Sequence, residues 1–379
     1  MSLAAQTFQI RPLPTLIFGA GSAKKLAAQV QALGRKNVLV VTDKGLMGSG
    51  AADEALAALS AAGVGVEIFD GVEANPTDRN VEAGAARLAG MQDAAVLALG
   101  GGSSMDCGKA IALLATNPGS VADLQKPGPK APGVPIIAVA TTAGTGSETN
   151  SACVITNTAL GRKTYVMHPT IVPAFAVLDP ELTLGLPAYP TATCGFDVFT
   201  HALEAFTSLR ATPYSDAVAL KAIEMVAANL RNVVADGSNL EGRSQMMLAS
   251  SMAAIAFNVA GLGAAHGTGH ALSARLNAAH GQTLATMLPH VMAFNMPAVA
   301  AKYAQVAAAL GAAAQAEAAI GAVVSLRADI GIARSITDLG GSAAMVPQLA
   351  EDAAADGVNL SNPRQVTPPD FVALYEAAL

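Results

Sequence analysis

The sequence lacks the features that mark nucleic-acid-binding, secreted or membrane proteins. Its net charge is −6, and no basic run is interleaved with aromatic residues, which argues against a nucleic-acid partner. Although 52% of the chain is hydrophobic, no segment approaches about eighteen consecutive strongly apolar residues. The first residues show no basic head, apolar run and cleavage site of a secretory signal. We therefore expect a soluble, cytoplasmic protein that acts on a small molecule.

Cysteines and aromatic residues are scarce. The three cysteines, Cys107, Cys153 and Cys194, form no metal-type pair, and their odd number gives no disulfide framework. We expect them to be small, buried apolar residues. Tryptophan is absent and aromatic residues make up 4% of the chain, so the sequence predicts no obvious stacking platform for a substrate.

The length of 379 residues exceeds the usual size of one core, which predicts two domains. The first half alternates β-branched runs with helical patterns, as in NVLVVTD, VGVEIFD, AAVLALGG and VPIIAVATT, which is typical of βαβ units. Prolines interrupt residues 178–193, and helical patterns follow at 195–209, 215–236, 243–256, 299–310, 316–329, 342–355 and 367–378. We predict an α/β domain with a mainly parallel sheet over residues 1–185 and an all-helical domain over residues 186–379.

A glycine-rich turn joins one buried strand pattern to a helix, at Gly100, Gly101, Gly102 and Ser103. Glycines let the backbone approach phosphates without a Cβ clash, and the N–H groups of a helix start attract negative charge. The next strand pattern ends in TTAGTGSE, residues 141–148, whose hydroxyls could hold a ribose or nicotinamide. The two loops together predict a dinucleotide site; a pair of βα connections without a ligand is the alternative.

Two features nearer the N-terminus bear on the same site. Gly19 and Gly21 form a G-x-G without a third glycine, which we interpret as a structural turn before a helix. Asp43 follows a strand pattern, where an acid accepts hydrogen bonds from ribose hydroxyls and repels a 2′-phosphate, so NAD is favoured over NADP. The alternative is that Asp43 only caps the turn before Lys44.

Histidines cluster in the second half of the chain. Asp197 and His201 stand four residues apart in a helical pattern, so both side chains leave one face and can meet one ion. Downstream of them lie four of the six histidines, His266, His270, His280 and His290. A continuous helix would separate His266 from His280 by roughly 21 Å, so the chain must turn between them, and Asn277 offers turn chemistry. The pattern predicts a divalent metal site.

The whole sequence resembles the iron-containing (group III) alcohol dehydrogenase family nearly end to end. It carries, in order, GGGS, TTAGTGSE, LDPELT, GFDxxxH, HGxxHxxxxxxxxxH and NPRxVT. The resemblance implies a dehydroquinate-synthase-like fold, with an NAD-binding α/β domain, a helical metal-binding domain and an active site in the cleft between them. It also implies an NAD- and metal-dependent oxidoreductase that interconverts a small primary alcohol or diol and its aldehyde or ketone, and at least a homodimer.

Individual residues follow from the same resemblance. It makes Asp197, His201, His266 and His280 the metal ligands and places His270 beside the site as a proton-transfer residue. It maps NAD contacts onto Asp43, Asn75, Gly101, Gly102, Ser103, Thr141, Thr142, Thr145 and Lys163. His168 and His290 are assigned no metal. Unusual residues around Asp197 and His270, among them Cys194 and Phe196, remove no ligand but leave the substrate preference open.

The expected chemistry needs a Lewis acid because a neutral alcohol is a poor hydride donor. A bound divalent metal would lower the pKa of the alcohol, NAD would accept the hydride, and His270 would help the proton leave. The family resemblance favours Fe(II), and Zn(II) is the alternative because three imidazoles and a carboxylate also suit it.

Other functions remain as alternatives. A dehydroquinate-synthase-like lyase would need several basic residues around its anionic substrate, whereas the metal segment contains only Arg275. A maleylacetate-reductase-like enzyme works without a metal, against which the intact ligand set counts. A non-catalytic NAD-binding protein would not need every ligand position filled.

Overall fold

The computed structural model describes residues 7–10, 13–125 and 128–379. These residues divide into two compact units, and the boundary in the sequence falls between Gly185 and Leu186. Residues 7–10 group with the second unit, not with the first.

The first unit is built on a six-stranded sheet in which every neighbouring pair is parallel. The strands of the unit are β1 (Thr15–Phe18), β2 (Asn37–Val41), β3 (Gly65–Phe69), β4 (Ala94–Gly100), β5 (Ile136–Ala140), β6 (Ala152–Asn157), β7 (Arg162–Met167) and β8 (Phe175–Leu178). The order in the sheet is β1-β8-β5-β4-β2-β3, which confirms the predicted parallel sheet. The antiparallel hairpin of β6 and β7 was not predicted.

Helices connect these strands and cover an apolar core. They are α1 (Leu26–Ala32), α2 (Lys44–Ser49), α3 (Asp53–Ala61), α4 (Asp78–Ala89) and α5 (Gly102–Leu114). The inner strands are buried along nearly their whole length because helices cover both faces of a parallel sheet, which explains their continuous apolar runs. Since β2, β4 and β5 are parallel neighbours, the loops after them emerge at one edge of the sheet.

The G-x-G at Gly19 and Gly21 is a structural turn, as predicted. Both glycines have positive φ, and a short 3-10 helix follows at Ser22–Lys25. The carboxylate of Asp179 accepts hydrogen bonds from the N–H groups of Gly21 and Ala23 at 3.2 and 2.9 Å. This turn is therefore held by the aspartate of the LDPELT motif.

The second unit contains helices and no strand among its described residues, which confirms the all-helical prediction. Its helices are α6 (Ala188–Thr207), α7 (Pro213–Ala235), α8 (Leu240–Ala260), α9 (Ala264–Leu276), α10 (His280–Ala309), α11 (Ala316–Asp329), α12 (Val346–Ala354) and α13 (Pro368–Glu376). The helical patterns in the sequence missed α9 and residues 280–298 of α10. Glycine and threonine make that stretch a weak helix former by itself.

The turn between the two histidine segments lies where the sequence indicated. Helix α9 ends at Asn277, which takes the left-handed conformation with φ 50°, and α10 begins at His280. Gly281 then passes close to α6, because a Cβ at this position would lie 1.9 Å from the carbonyl oxygen of Thr193. Glycine is thus required for the first turn of α10 to reach the helix that carries Asp197.

By length and composition alone, α10 could cross a membrane, and so could the sharply bent pair of α8 and α9 taken as one segment. Half of the apolar window of α10 is buried within the protein. Helix α10 also contains Pro289 and Pro297 and bends at Val299. One such helix is weak evidence for a membrane span, because a buried core helix can have the same length and composition.

Candidate metal and cofactor sites

Helix α6 presents three ionisable side chains on one face. Asp197, His201 and Glu204 occupy positions i, i+4 and i+7 and therefore project along one stripe of the helix. All three are almost completely buried, with exposed fractions of 4%, 5% and 6%. Burial of charged groups is costly unless they are paired or bind a metal, so this stripe points to a site.

The structure brings the four predicted ligands together; we call Asp197, His201, His266 and His280 the metal cluster. Oδ1 of Asp197 lies 3.4 Å from Nε2 of His201, 3.5 Å from Nε2 of His266 and 3.7 Å from Nε2 of His280. One ligand atom from each of Asp197, His201 and His266 can be chosen so that all lie within 4.8 Å of one another. The imidazole rings of His201 and His266 stack with centroids 4.7 Å apart. Three imidazole nitrogens thus lie around one carboxylate oxygen, with that of His280 the farthest from it.

The charges within this cluster are strongly coupled. Burial raises the pKa of Asp197, but His201, His280 and His266 together outweigh it and hold the pKa well below its usual range. Burial lowers the pKa of His201 to about 4. Burial also opposes charge on His266, yet Glu204 and Asp197 overcome it and raise the pKa to about 9. The surroundings therefore favour the ionised carboxylate of Asp197 and the neutral imidazole of His201, whereas Glu204 and Asp197 favour the protonated form of His266.

Nδ1 of His201 is one of the cluster's buried atoms without a hydrogen-bond partner in the described part of the chain, and Oδ1 of Asp197 and Nε2 of His266 are two others. Their separation from each other is longer than a good hydrogen bond. Unsatisfied buried polar atoms are rare in proteins and are explained here by an ion that they would both bind. A carboxylate and imidazole nitrogens suit Zn(II) and Fe(II), so the residues fit a divalent metal.

Glu204 was not singled out by its sequence. Its Oε2 contacts Nδ1 of His266 at 2.5 Å, and its Oε1 accepts a hydrogen bond from the N–H of Ala265 at 2.7 Å. The spacing of Glu204 from Asp197 and His201 could have placed it on the same helix face. Its contact with His266, sixty-two positions along the chain, depends on the tertiary fold.

His270 lies beside the metal cluster. Its ring stacks against the His280 ring at a centroid distance of 5.2 Å, and its Nδ1 is 2.7 Å from Oδ2 of Asp356.

The other two histidines are not part of the metal cluster. His168 caps a short 3-10 helix in the first unit. His290 is half-buried beside Arg327, and burial lowers the pKa of its imidazole.

The predicted cofactor residues lie around the edge of the sheet formed by the carboxyl ends of β2, β4 and β5. A Cβ at Gly102 would meet the Thr145 side chain at 2.6 Å, and a Cβ at Gly101 would meet the Thr142 side chain at 3.4 Å. The N–H of Thr141 donates to the carbonyl of Gly100 at 3.0 Å. The glycine turn and the loop after β5 are therefore packed against each other.

The remaining predicted cofactor residues lie near this edge. Ser103 donates to the carbonyl oxygen of Ala74, next to Asn75, at 2.6 Å. Asp43 caps α2, because its side chain accepts a hydrogen bond from the N–H of Leu46 at 3.0 Å. The structure therefore contains the helix cap that we gave as the alternative to a ribose contact. Lys163 pairs across the hairpin with Thr156, whose N–H donates to the carbonyl of Pro76 at 2.8 Å, so the hairpin borders the Asn75 loop.

A buried polar group links α5 to the loop after β5; we call Asp106, Lys109, Ser147 and Asn150 the lysine cluster. The Lys109 ammonium is fully buried and donates to Ser147 Oγ, Asn150 Oδ1 and the Ala152 carbonyl at 2.8, 2.8 and 2.9 Å. Ser147 Oγ donates to Asp106 at 2.6 Å, and the N–H of Val154 donates to Asp106 at 2.9 Å. Sequence reasoning missed this cluster, since its members are far apart in the chain.

The cysteines are free thiols. Cys107 and Cys153 are buried, as expected, and burial raises the pKa of each thiol well above its usual value. Cys194 is only partly buried; burial and the neighbouring Asp197 raise its pKa to about 12. None of the three is a reactive thiolate at neutral pH.

Two family models match the chain. Residues 14–180 match the iron-containing alcohol dehydrogenase model, and residues 191–379 match the C-terminal model of the Fe-containing alcohol dehydrogenase family. Together they cover both units.

Individual relatives match over almost the whole chain. The 1,3-propanediol dehydrogenase of Klebsiella pneumoniae is 41% identical over 376 residues, which cover 95% of this chain and 96% of the relative. The NAD-dependent methanol dehydrogenase of Bacillus methanolicus is 36% identical over 374 residues, with 97% and 98% covered. A crystal structure of a 1,3-propanediol oxidoreductase superposes with a TM-score of 0.94 at 40% identity and covers 99% of this chain and 100% of the other.

Proposed function

The chain belongs to the iron-containing alcohol dehydrogenase family and is an NAD-dependent alcohol dehydrogenase, and we propose that its substrate is a small primary alcohol or diol or the matching aldehyde. The similarity to a 1,3-propanediol dehydrogenase makes 1,3-propanediol the first alcohol to test. The low aromatic content agrees with a small, non-aromatic substrate.

The proposed metal ligands are Asp197, His201, His266 and His280. The observation that carries this assignment is the convergence of three imidazole Nε2 atoms on Oδ1 of one buried carboxylate. A bound divalent metal would act as a Lewis acid and lower the pKa of an alcohol. We favour Fe(II), with Zn(II) as the alternative, because this set of ligand atoms accepts either ion.

The proposed NAD contacts are Asp43, Asn75, Gly101, Gly102, Ser103, Thr141, Thr142, Thr145 and Lys163. Support comes from the position of most of them at the carboxyl edge of the parallel sheet, where β2 and β4 lie side by side and the chain leaves them in opposite directions. Lys163 lies instead on β7 of the separate hairpin, which borders the Asn75 loop. Ligands bind α/β sheets at such a switch point. The start of α5 would hold the pyrophosphate, since a helix N-terminus attracts negative charge.

We assign proton transfer to His270. Its Nδ1 lies 2.7 Å from Oδ2 of Asp356, which orients the ring for proton exchange with water or substrate. Asp356 is itself fixed, because its other oxygen accepts from the N–H of Val358 at 3.1 Å. His270 is thus held by Asp356, which is not a proposed metal ligand. Proton transfer and metal binding are therefore assigned to different histidines.

Two further assignments are proposals drawn from the family and composition. The enzyme works in the cytoplasm, and it assembles as a homodimer or a larger homo-oligomer. Size-exclusion chromatography with light scattering tests the second: a mass of about 38 kDa would contradict it, since one chain has a mass of 37.8 kDa.

The proposed function is tested by following NADH oxidation with short aldehydes, including the aldehyde of 1,3-propanediol. Metal-free protein is reloaded separately with Fe(II) or Zn(II). We expect activity to return with metal and to be lost in His266→Ala. NADH binding without turnover on any aldehyde with either metal would contradict small-aldehyde reduction.

A further inference from the structure

Glu204 is a buried carboxylate whose two oxygens both face the start of α9. It lies on α6 one turn after His201, on the stripe that carries Asp197. Its Oε1 accepts from the N–H of Ala265, and its Oε2 contacts Nδ1 of His266 at 2.5 Å. Gly263 makes this approach possible, because a Cβ there would lie 3.0 Å from Oε1 of Glu204. The helix that supplies two metal ligands therefore also holds the third.

The chemistry of this contact decides which nitrogen of His266 carries a proton. An ionised carboxylate can only accept hydrogen bonds, so Nδ1 of His266 must be the donor. Nε2 then faces Asp197 Oδ1, 3.5 Å away. Nε2 is then the nitrogen that would bind a metal, since Nδ1 keeps its hydrogen bond to Glu204. Carboxylate partners of this kind fix the tautomer and the ring orientation of metal-bound histidines.

We propose that Glu204 is a positioning residue that presents Nε2 of His266 to the metal by holding the proton on Nδ1. The inference rests on the proposed ligand set. It assigns Glu204 a role through its charge and acceptor geometry, beyond its capping of α9. The capping role is shared, because Asn362 accepts from the N–H of Ala264 at 3.1 Å and, among the described residues, forms no hydrogen bond with His266.

Glu204→Gln separates the two roles because glutamine has nearly the same shape. Its single carbonyl oxygen can still accept from the N–H of Ala265, but its NH₂ group then faces Nδ1 of His266. That nitrogen must become the acceptor, which moves the ring proton to Nε2, where it blocks the metal. Zn(II) affinity, measured by competition with a chromophoric chelator, is expected to fall roughly 10- to 100-fold.

Two matched controls accompany this variant. Glu224→Gln makes the same change on the exposed face of α7 and should leave Zn(II) affinity unaltered. Asn362→Ala removes the other tertiary cap of α9 and should lower the thermal unfolding temperature while keeping Zn(II) affinity within about threefold. Equal losses of affinity in Asn362→Ala and Glu204→Gln would reduce Glu204 to a helix cap and overturn the proposal.

A spectroscopic measurement keeps the proposal testable if Glu204→Gln folds poorly. In Co(II)-loaded protein, each imidazole ligand gives an exchangeable N–H proton signal that the metal shifts away from the other signals. We expect one of these, from His266, to exchange slowly with water in the native protein and to be lost or accelerated in Glu204→Asp, whose shorter side chain cannot serve both partners. Three fast-exchanging signals in the native protein would overturn the proposal.

Asp197→Ala distinguishes this inference from the ligand assignment beneath it. Full Zn(II) affinity in Asp197→Ala would contradict the ligand set itself. Loss of affinity in Asp197→Ala, together with native affinity and a native His266 signal in Glu204→Gln, would contradict only the role of Glu204.

Discussion

The lysine cluster of the first unit and the metal cluster of the second are both buried and polar. They differ in hydrogen bonding, because the buried polar groups of the lysine cluster have partners within the chain and some of those of the metal cluster do not. Lys109 donates three hydrogen bonds, and Ser147 passes one on to Asp106. In the metal cluster, by contrast, Oδ1 of Asp197 and Nε2 of His266 have no hydrogen-bond partner within the described residues. The difference separates a cluster that stabilises the fold from one arranged for a ligand.

This contrast has an energetic basis. A buried polar network is favourable only when every member is satisfied, since each unsatisfied group keeps its full desolvation cost. The lysine cluster meets that condition and can hold the loop after β5 in place. The metal cluster meets it only when an ion is bound, so we expect the metal to contribute to the stability of the second unit.

The largest effect is expected from Asp197→Asn, which removes the charge at the centre of the metal cluster. We expect Zn(II) affinity to fall by more than about a hundredfold, because even partners outside the ligand set are worth 10- to 100-fold. Thermal unfolding with and without Zn(II) provides the measurement. Native protein should gain about 2.7 kcal/mol at a hundredfold excess of metal over Kd, and the variant should gain almost nothing. An equal metal-dependent stabilisation of both proteins would exclude Asp197 as a ligand.

The next effect concerns the completed cluster. Lys109→Met keeps the length of the side chain but leaves Asp106 and Asn150 without their buried cation, so the free energy of unfolding should fall by about 3–5 kcal/mol. Urea unfolding measures this loss, with Lys221→Met on the surface as the control. Adding Asp106→Asn should recover part of it, since the charge that Lys109→Met leaves uncompensated is then removed. A loss below about 1 kcal/mol would show that the lysine cluster is not a stabilising network.

A smaller, pH-dependent effect is expected at Glu148, which ends the loop held by the lysine cluster. Burial raises its pKa from 4.5 to about 7. The unfolded chain therefore loses this proton first as the pH rises, and the folded state is destabilised progressively between about pH 4.5 and 7. Lys109 is the charged neighbour and only partly offsets the burial.

Glu148→Gln removes that cost. The variant should be more stable than the native protein by about 3 kcal/mol at most near pH 8, and by less than about 1 kcal/mol near pH 5. Urea unfolding at the two pH values gives the difference, and Glu181→Gln on the surface is the control. A pH-independent difference between the variant and the native protein would contradict the raised pKa.

The fold class could be predicted from the sequence, and so could the position of Asp197 and His201 on one helix face, because both depend on the local spacing of residue types. The sequence also located the turn at Asn277, where φ is positive in the structure. Contacts between distant segments could not be read in this way. The bond from Glu204 to His266 and the bonds from Lys109 to Ser147 and Asn150 join residues far apart in the chain, and no local pattern encodes them. Helix α9 was missed for a related reason, since its start is capped by Glu204 and Asn362 instead of by a residue of its own.

The smallest effect is expected at Asp43, where the two interpretations of the sequence can be separated. Asp43 caps α2 through Leu46 and also stands at the end of β2, where a carboxylate would meet the adenosine ribose. Asp43→Ser keeps a good helix cap but removes the charge. If Asp43 contacts the ribose, KM for NADH should rise about tenfold, equivalent to about 1.4 kcal/mol, while NADPH becomes a better substrate. If Asp43 only caps the helix, KM for both cofactors and the free energy of unfolding should all stay near native values. Asp43→Ala removes both the helix cap and the charge, so it should also lower the free energy of unfolding by about 1 kcal/mol. The two variants together show whether the Asp43 carboxylate caps the helix, contacts the cofactor, or does both.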